Sequence, residues 1–264
     1  MKRINEAKTR KELIDPALEL AGWHLADKSR VGIEIPVDGY DKEPWNGVTD
    51  YVLRRSNGEI IAVVEAKRTT HDPRLAQQQA EHYLNEIAKH QSFKPFAFLT
   101  NGIDIYFFES GLAAKRLVYG FFSPTDLDRL LWYRQNQKPL ASIPIDNRIT
   151  DRAYQHEAIR RVSAAFEAGK RKALLVMATG TGKTRAIMSL IDVFLRANQA
   201  QNILFVADRD ALVEQAKIDG FEKFLPHEPC TRIYSHNIQK TNRLYAATLQ
   251  TLSNCFEQFT PGFF

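Results

Sequence analysis

The stretch that most limits what this chain can become is LLVMATGTGKTRAIMSL, at 174–190. An apolar run leads into a glycine-rich loop, which opens an apolar-periodic segment. That order reads as strand, loop and helix. Gly180 and Gly182 permit backbone angles that other residues resist, so successive N–H groups can converge on one anion. The N-terminus of the following helix adds its partial positive charge. Lys183 is placed to reach the β- and γ-phosphates of a nucleotide, and Thr184 to offer its hydroxyl to Mg²⁺. Thr179 and Thr181 complete the candidate cradle.

The rest of the second half follows the same grammar. YQHEAIRRVSAAFEAG reads as a helix ending at Gly169, KALLVMA and NILFVA as strands, and a further helix starts near 209. Strands alternating with helices imply a parallel sheet with helices on its faces. The first half reads differently. A helix is expected over about 9–22, with Thr9 and Glu12 at capping-box spacing and Pro16 as an internal break or restart. Short β-rich runs follow at 31–37, 48–55 and 60–67, then a helix at about 72–90. FAFLT and IDIYFFE flank Asn101–Gly102, a hairpin signal, and PTDLDRLLWYRQN is helical. QKPLASIPIDNR, at 137–148, reads as a linker. Two domains are therefore expected, 1–146 and 147–264.

Within the first, the run VVEAKRT (63–69) puts an acid and a base on one face of a strand meant for burial. With Asn57–Gly58 as a two-residue turn, paired residue numbers sum to 115, and Asp50 faces Glu65. Facing carboxylates about 4.5–5.5 Å apart repel each other. Oxygen ligands at that spacing suit a hard cation such as Mg²⁺, and Lys67 could orient or help deprotonate a water. That is an apparatus for metal-assisted phosphodiester hydrolysis; a surface hairpin with a chance Glu–Lys pair reads equally well on spacing alone.

At these residues the chain resembles the PD-(D/E)XK nucleases, with Asp50 followed by Glu65-Ala66-Lys67. Gln79 and Tyr83 are similar to the Q-x-x-x-Y motif of the RecB-type branch. The resemblance implies that Asp50, Glu65 and the Ala66 carbonyl hold Mg²⁺, that Lys67 serves the water, and that Gln79 and Tyr83 support the site. It also implies an acidic residue from the first helix, Glu6 ahead of Glu12. ATGTGKT is similar to motif I of superfamily 2 helicases. RAYQHEAI resembles their adenine-reading segment, with Gln155 as base contact, and 203–216 and 245–252 resemble their motifs Ia and Ib. No D-E-x-H or D-E-A-D follows, so the chain reads as cut before motif II, with ATP turnover negligible and apolar sheet surface left uncovered.

Nuclease core, linker and helicase motor together resemble the N-terminal part of the motor subunit of type I restriction enzymes. The implied fold is α/β, a PD-(D/E)XK endonuclease-like domain followed by a partial RecA-like P-loop domain. The implied cofactors are Mg²⁺ and ATP; the implied partners are double-stranded DNA and separate specificity and methyltransferase subunits. A repair helicase-nuclease and a silent DNA- or nucleotide-binding module are the alternatives. The net charge of +5 fits a nucleic-acid partner. Cys230 and Cys255 sit far apart with no metal-ligand spacing, which suggests a reducing, cytoplasmic setting with no disulfide framework. No signal peptide or membrane span is read.

Overall fold

The computed structural model describes residues 6–37, 47–111, 113–236 and 238–264. The chain divides into two compact units, Met1–Asp128 with Thr260–Gly262, and Arg129–Phe259 with Phe263–Phe264. The seam lies inside helix α4 (Pro124–Asn136), upstream of the expected boundary at 146. The segment read as a linker belongs to the second unit. Lys138 donates its N–H to Ala197, Arg196 bonds the Pro144 carbonyl, and Leu140 is buried beside Ile159 and Val193.

The first unit is built on one six-stranded sheet in sequence order: β1 (Val31–Pro36), β2 (Val48–Arg54), β3 (Ile60–Ala66), β4 (Phe96–Thr100), β5 (Ile105–Glu109) and β6 (Ala113–Val118). All neighbours are antiparallel except β3 and β4, which are joined by a crossover through helix α3 (Gln77–Ala88). Strand alternation splits the apolar residues between two faces. Val52, Val63, Ala97 and Leu99 pack under Ala80, Tyr83, Leu84 and Ile87 of α3. An aromatic cluster of Phe96, Phe98, Phe107, Phe121 and Phe122 forms a second body of core, with ring centroids 4.6–5.5 Å apart.

The expected first helix is present, already formed at Glu6. It runs as α1 (Glu6–Thr9), a π-helical turn (Arg10–Ile14) and α2 (Asp15–Leu20). Thr9 is therefore a buried helical residue with no capping bond, and the capping-box reading fails. The π turn inserts one residue just ahead of Pro16, which has no N–H to give back to the preceding turn. The Asn101–Gly102 hairpin forms with a four-residue loop, 101–104. Asn101 Oδ1 accepts from Ile103 and Asp104, and Gly102 takes φ +84°.

The β2–β3 turn differs from its reading. Arg55 N–H bonds the Glu59 carbonyl across a three-residue loop, 56–58, with only Gly58 left-handed. That closure alone would set the paired sum to 114, as in Arg54–Ile60. A bulge at Ile61 then restores 115, and Leu53–Ala62, Val52–Val63 and Tyr51–Val64 pair as expected.

In the second unit β7 (Ile203–Ala207), β9 (Leu244–Thr248) and β8 (Cys230–Arg232) form a parallel sheet in the order β7-β9-β8. Helices α5 (Ala153–Glu167), α6 (Lys183–Arg196) and α7 (Asp210–Gln215) belong to the same unit. Met188, Ile191 and Leu195 of α6 join Val213, Phe221 and Leu244 in its core. The expected strand 172–178 is not a strand: among the described residues nothing pairs with it, and Leu174 and Val176 are 88% and 83% exposed. Its apolarity suits a central sheet position, but a strand exists only with a neighbour to bond.

Candidate functional site

In the first unit the bulge-corrected register carries Asp50 and Glu65 to facing positions at the ends of β2 and β3. The ladder opens there, because the Asp50 side chain replaces a backbone acceptor: its Oδ2 takes the Ala66 N–H at 2.7 Å. Glu65 is 1% exposed, and its Oε1 has no hydrogen-bond partner. A buried, unsatisfied carboxylate oxygen is costly, on the order of 1–3 kcal/mol. Burial first, then the charge of Asp50, pushes the Glu65 carboxyl well above its ordinary range, with Lys67 acting in the opposite sense. Burial also raises Asp50, against the pull of the Ala66 N–H and Arg10.

Lys67, one alternation beyond Glu65, donates to Gln79 Oε1 at 3.3 Å. Gln79 Nε2 donates to the Tyr83 hydroxyl at 3.0 Å, and that hydroxyl donates to the Val48 carbonyl at 3.2 Å. The i, i+4 spacing on α3 thus ties Lys67 back to the start of β2 through two side chains. Glu6 lies close enough that its charge raises both Asp50 and Glu65. Glu12, the alternative, pairs with Lys8 at 3.4 Å with about half of its side chain exposed.

Two residues at this site escape sequence reasoning. Arg10, on the π turn, bonds Asp50 Oδ1 at 3.0 Å through one guanidinium nitrogen and Glu34 Oε1 at 2.6 Å through the other. Glu34 sits between Ile33 and Ile35, which pair with Tyr51 and Thr49, so its register position is opposite Asp50. It holds φ +52°, a left-handed angle that costs roughly 1–2 kcal/mol for a residue with a side chain. Neither was legible, because the β1–β2 connection is too long for turn arithmetic. The one hint was Arg10 standing four residues after Glu6.

The donor set fits a hard divalent cation. It offers oxygen from Asp50 and Glu65, one of them unpartnered and buried, with the Ala66 carbonyl adjoining. Among the described residues no three His, Cys, Asp or Glu side chains form a chelating cluster.

The second unit carries the glycine loop ahead of α6. Gly180 and Gly182 take φ +79° and +80°, left-handed angles open to glycine. Thr179, Gly180 and Thr184 are exposed, Thr181 and Gly182 half-buried. Lys183 turns back over the loop, donating to the Met177 and Ala178 carbonyls at 3.1 Å each. Gln155 is brought to this loop, but its amide is engaged there. Nε2 donates to the Thr181 carbonyl at 2.9 Å and Oε1 accepts from Thr150. Tyr154 adds a bond from its hydroxyl to the same Thr181 carbonyl at 2.7 Å. A Cβ at Gly182 would stand 2.5 Å from Gln155 Nε2, so this contact needs glycine for space as well as angle. The segment resembling motif Ia spans β7 and α7; that resembling motif Ib spans β9 and a short helix, Leu249–Ser253, capped by Thr248.

Comparison with known proteins finds likeness to restriction-enzyme subunits. Residues 148–264 match the family described as type III restriction enzyme, res subunit. The whole chain is 29% identical to the EcoAI endonuclease subunit of a type I restriction enzyme from Escherichia coli, covering 35% of it. It is 28% identical over 80% of its length to the EcoKI endonuclease subunit from E. coli strain K12, covering 23% of that protein. A solved fragment described as an HsdR subunit of a type I restriction enzyme from Vibrio vulnificus YJ016 aligns over 98% of the chain and 50% of the fragment, with 27% identity and a TM-score of 0.42. The chain spans about a third or less of the curated relatives it matches.

Proposed function

We propose that this chain, as a relative of the endonuclease subunits of type I restriction enzymes, serves in such a subunit, hydrolysing DNA phosphodiesters with its first unit and binding ATP with its second. The observation that carries the reading is the meeting, at one opened strand end, of Asp50 on the Ala66 N–H, the buried Glu65 with its unpartnered Oε1, and the bonded chain Lys67–Gln79–Tyr83.

Asp50, Glu65 and the Ala66 carbonyl would hold Mg²⁺. The cation would supply Lewis-acid stabilisation of the phosphate and acidify a water. Lys67, held by Gln79, would orient that water and offset charge developing on the phosphate oxygens. Tyr83 fixes Gln79, and so the direction of the Lys67 ammonium. Glu6 adds negative potential that favours the cation. In the second unit the N–H groups of 179–184 would bind phosphate, with Lys183 released from the Met177 and Ala178 carbonyls to reach it. Thr184 would face Mg²⁺, and Gln155 would stand on the base side of the loop. DNA and the partner subunits named above complete the complex in this reading.

The test is plasmid cleavage with Mn²⁺ or Mg²⁺, wild type beside Lys67→Ala. The variant should lose cleavage by about 100-fold or more, the scale of losing a positioned catalytic group, with its thermal melt unchanged. Equal cleavage by both would remove Lys67 from the mechanism.

A further inference from the structure

We propose that Arg10 is a resident cation of the nuclease site, shared between Asp50 and Glu34, and that an incoming divalent ion competes with it for Asp50. The inference rests on the metal-assisted reading of Asp50 and Glu65, and goes beyond it in naming what sets the metal affinity.

Three independent features converge on the Arg10 guanidinium. Its two terminal nitrogens bridge two carboxylates on adjacent strands, at 3.0 Å to Asp50 and 2.6 Å to Glu34. Both backbones beneath the contact are irregular: Arg10 opens a π turn, and Glu34 holds a left-handed angle within a strand. A π turn and a left-handed glutamate each cost free energy, and both feed the same ion pair. Glu34 keeps 61% of its side chain exposed, so packing does not hold it there; the guanidinium is what it meets.

The charges give the consequence. Asp50 has Arg10 on one oxygen and the Ala66 N–H on the other. A divalent ion shared with Glu65 must draw on Asp50 while a full positive charge sits against it. Removing that charge should raise metal affinity. Removing Glu34 should lower it, because the whole guanidinium charge then bears on Asp50. Arg10 therefore holds the acidic row together without metal and keeps adventitious ions out. Loading then depends on whatever draws the guanidinium aside, and a phosphodiester has the matching bidentate geometry.

The experiment is Mn²⁺ titration calorimetry on the full chain: wild type, Arg10→Met, Glu34→Gln and Asp50→Asn, each with a thermal melt. The expected order of affinity is Arg10→Met above wild type, by about fivefold or more, and wild type above Glu34→Gln. An Arg10→Met affinity equal to or below wild type, with an intact melt, overturns the competition. If Arg10→Met does not fold, Glu34→Gln decides: affinity at or above wild type overturns it. Mn²⁺ binding to no variant, or to Asp50→Asn as well as to wild type, would instead take down the underlying metal reading.

Discussion

Glu65 shows how one residue trades stability for chemistry. Its raised folded-state pKa means that, between the ordinary carboxyl range and the folded value, the metal-free native state holds a proton the unfolded chain has released. Such a group stabilises the fold below the ordinary carboxyl range, and that contribution is lost as pH rises through the folded value. A bound divalent cation would reverse the preference, so Mn²⁺ binding should release protons and strengthen with pH. Glu65→Gln should therefore raise the metal-free stability at neutral pH by on the order of 1–3 kcal/mol while abolishing cleavage. Denaturant unfolding of the two proteins at matched pH checks the first half, and a nicking assay the second. A less stable variant would mean that the Asp50 N–H and Lys67 hold the carboxyl by more than its burial costs. Lys67 could be read from strand alternation beyond Glu65, whereas Gln79 and Tyr83 came from the resemblance to a Q-x-x-x-Y motif, whose i, i+4 spacing puts both on one helix face. Arg10 and Glu34 were not legible, because their meeting depends on a π turn and a left-handed strand residue, neither of which has a sequence pattern.

At the level of elements, the register of β2 and β3 was legible for a reason the sequence does not display. A two-residue turn was expected; a three-residue loop formed, and the bulge at Ile61 removed the one-residue error. Without that bulge Asp50 would face Val64, and the acid pair would be lost. The strand 172–178 failed for the opposite reason: composition favours it, but pairing is a property of two segments. The 101–104 hairpin is where one element disciplines another. A Cβ at Gly102 would stand 2.8 Å from Leu13 Cδ1 and 2.9 Å from Thr9 Cγ2, at φ +84°. Gly102→Ala should cost about 1–2 kcal/mol from the angle alone and more from crowding against the π turn. The measurement is the melting temperature, and a shift in Mn²⁺ affinity should accompany its fall, because the π turn carries Arg10. An unchanged melt would show that the loop does not brace the helix.

Across the whole molecule, each unit has its own sheet, core and candidate site. Lys183→Ala should therefore abolish binding of a fluorescent ATP analogue and leave Mn²⁺-dependent nicking within about twofold of wild type, since groups in separate cores with no shared hydrogen-bond partners behave independently. Lys67→Ala should do the reverse, and loss of both activities in either variant would contradict two separate sites. The unpaired approach to the glycine loop bears on that binding in a further way. A phosphate cradle is only as preorganised as the segment that enters it, and 172–178 enters without a ladder. Each nucleotide bound must then order its own support. Calorimetry should register this as an unfavourable entropy opposing a favourable enthalpy. The affinity would thus report how well the segment leading into the loop is stiffened, even in a variant whose phosphate contacts are untouched.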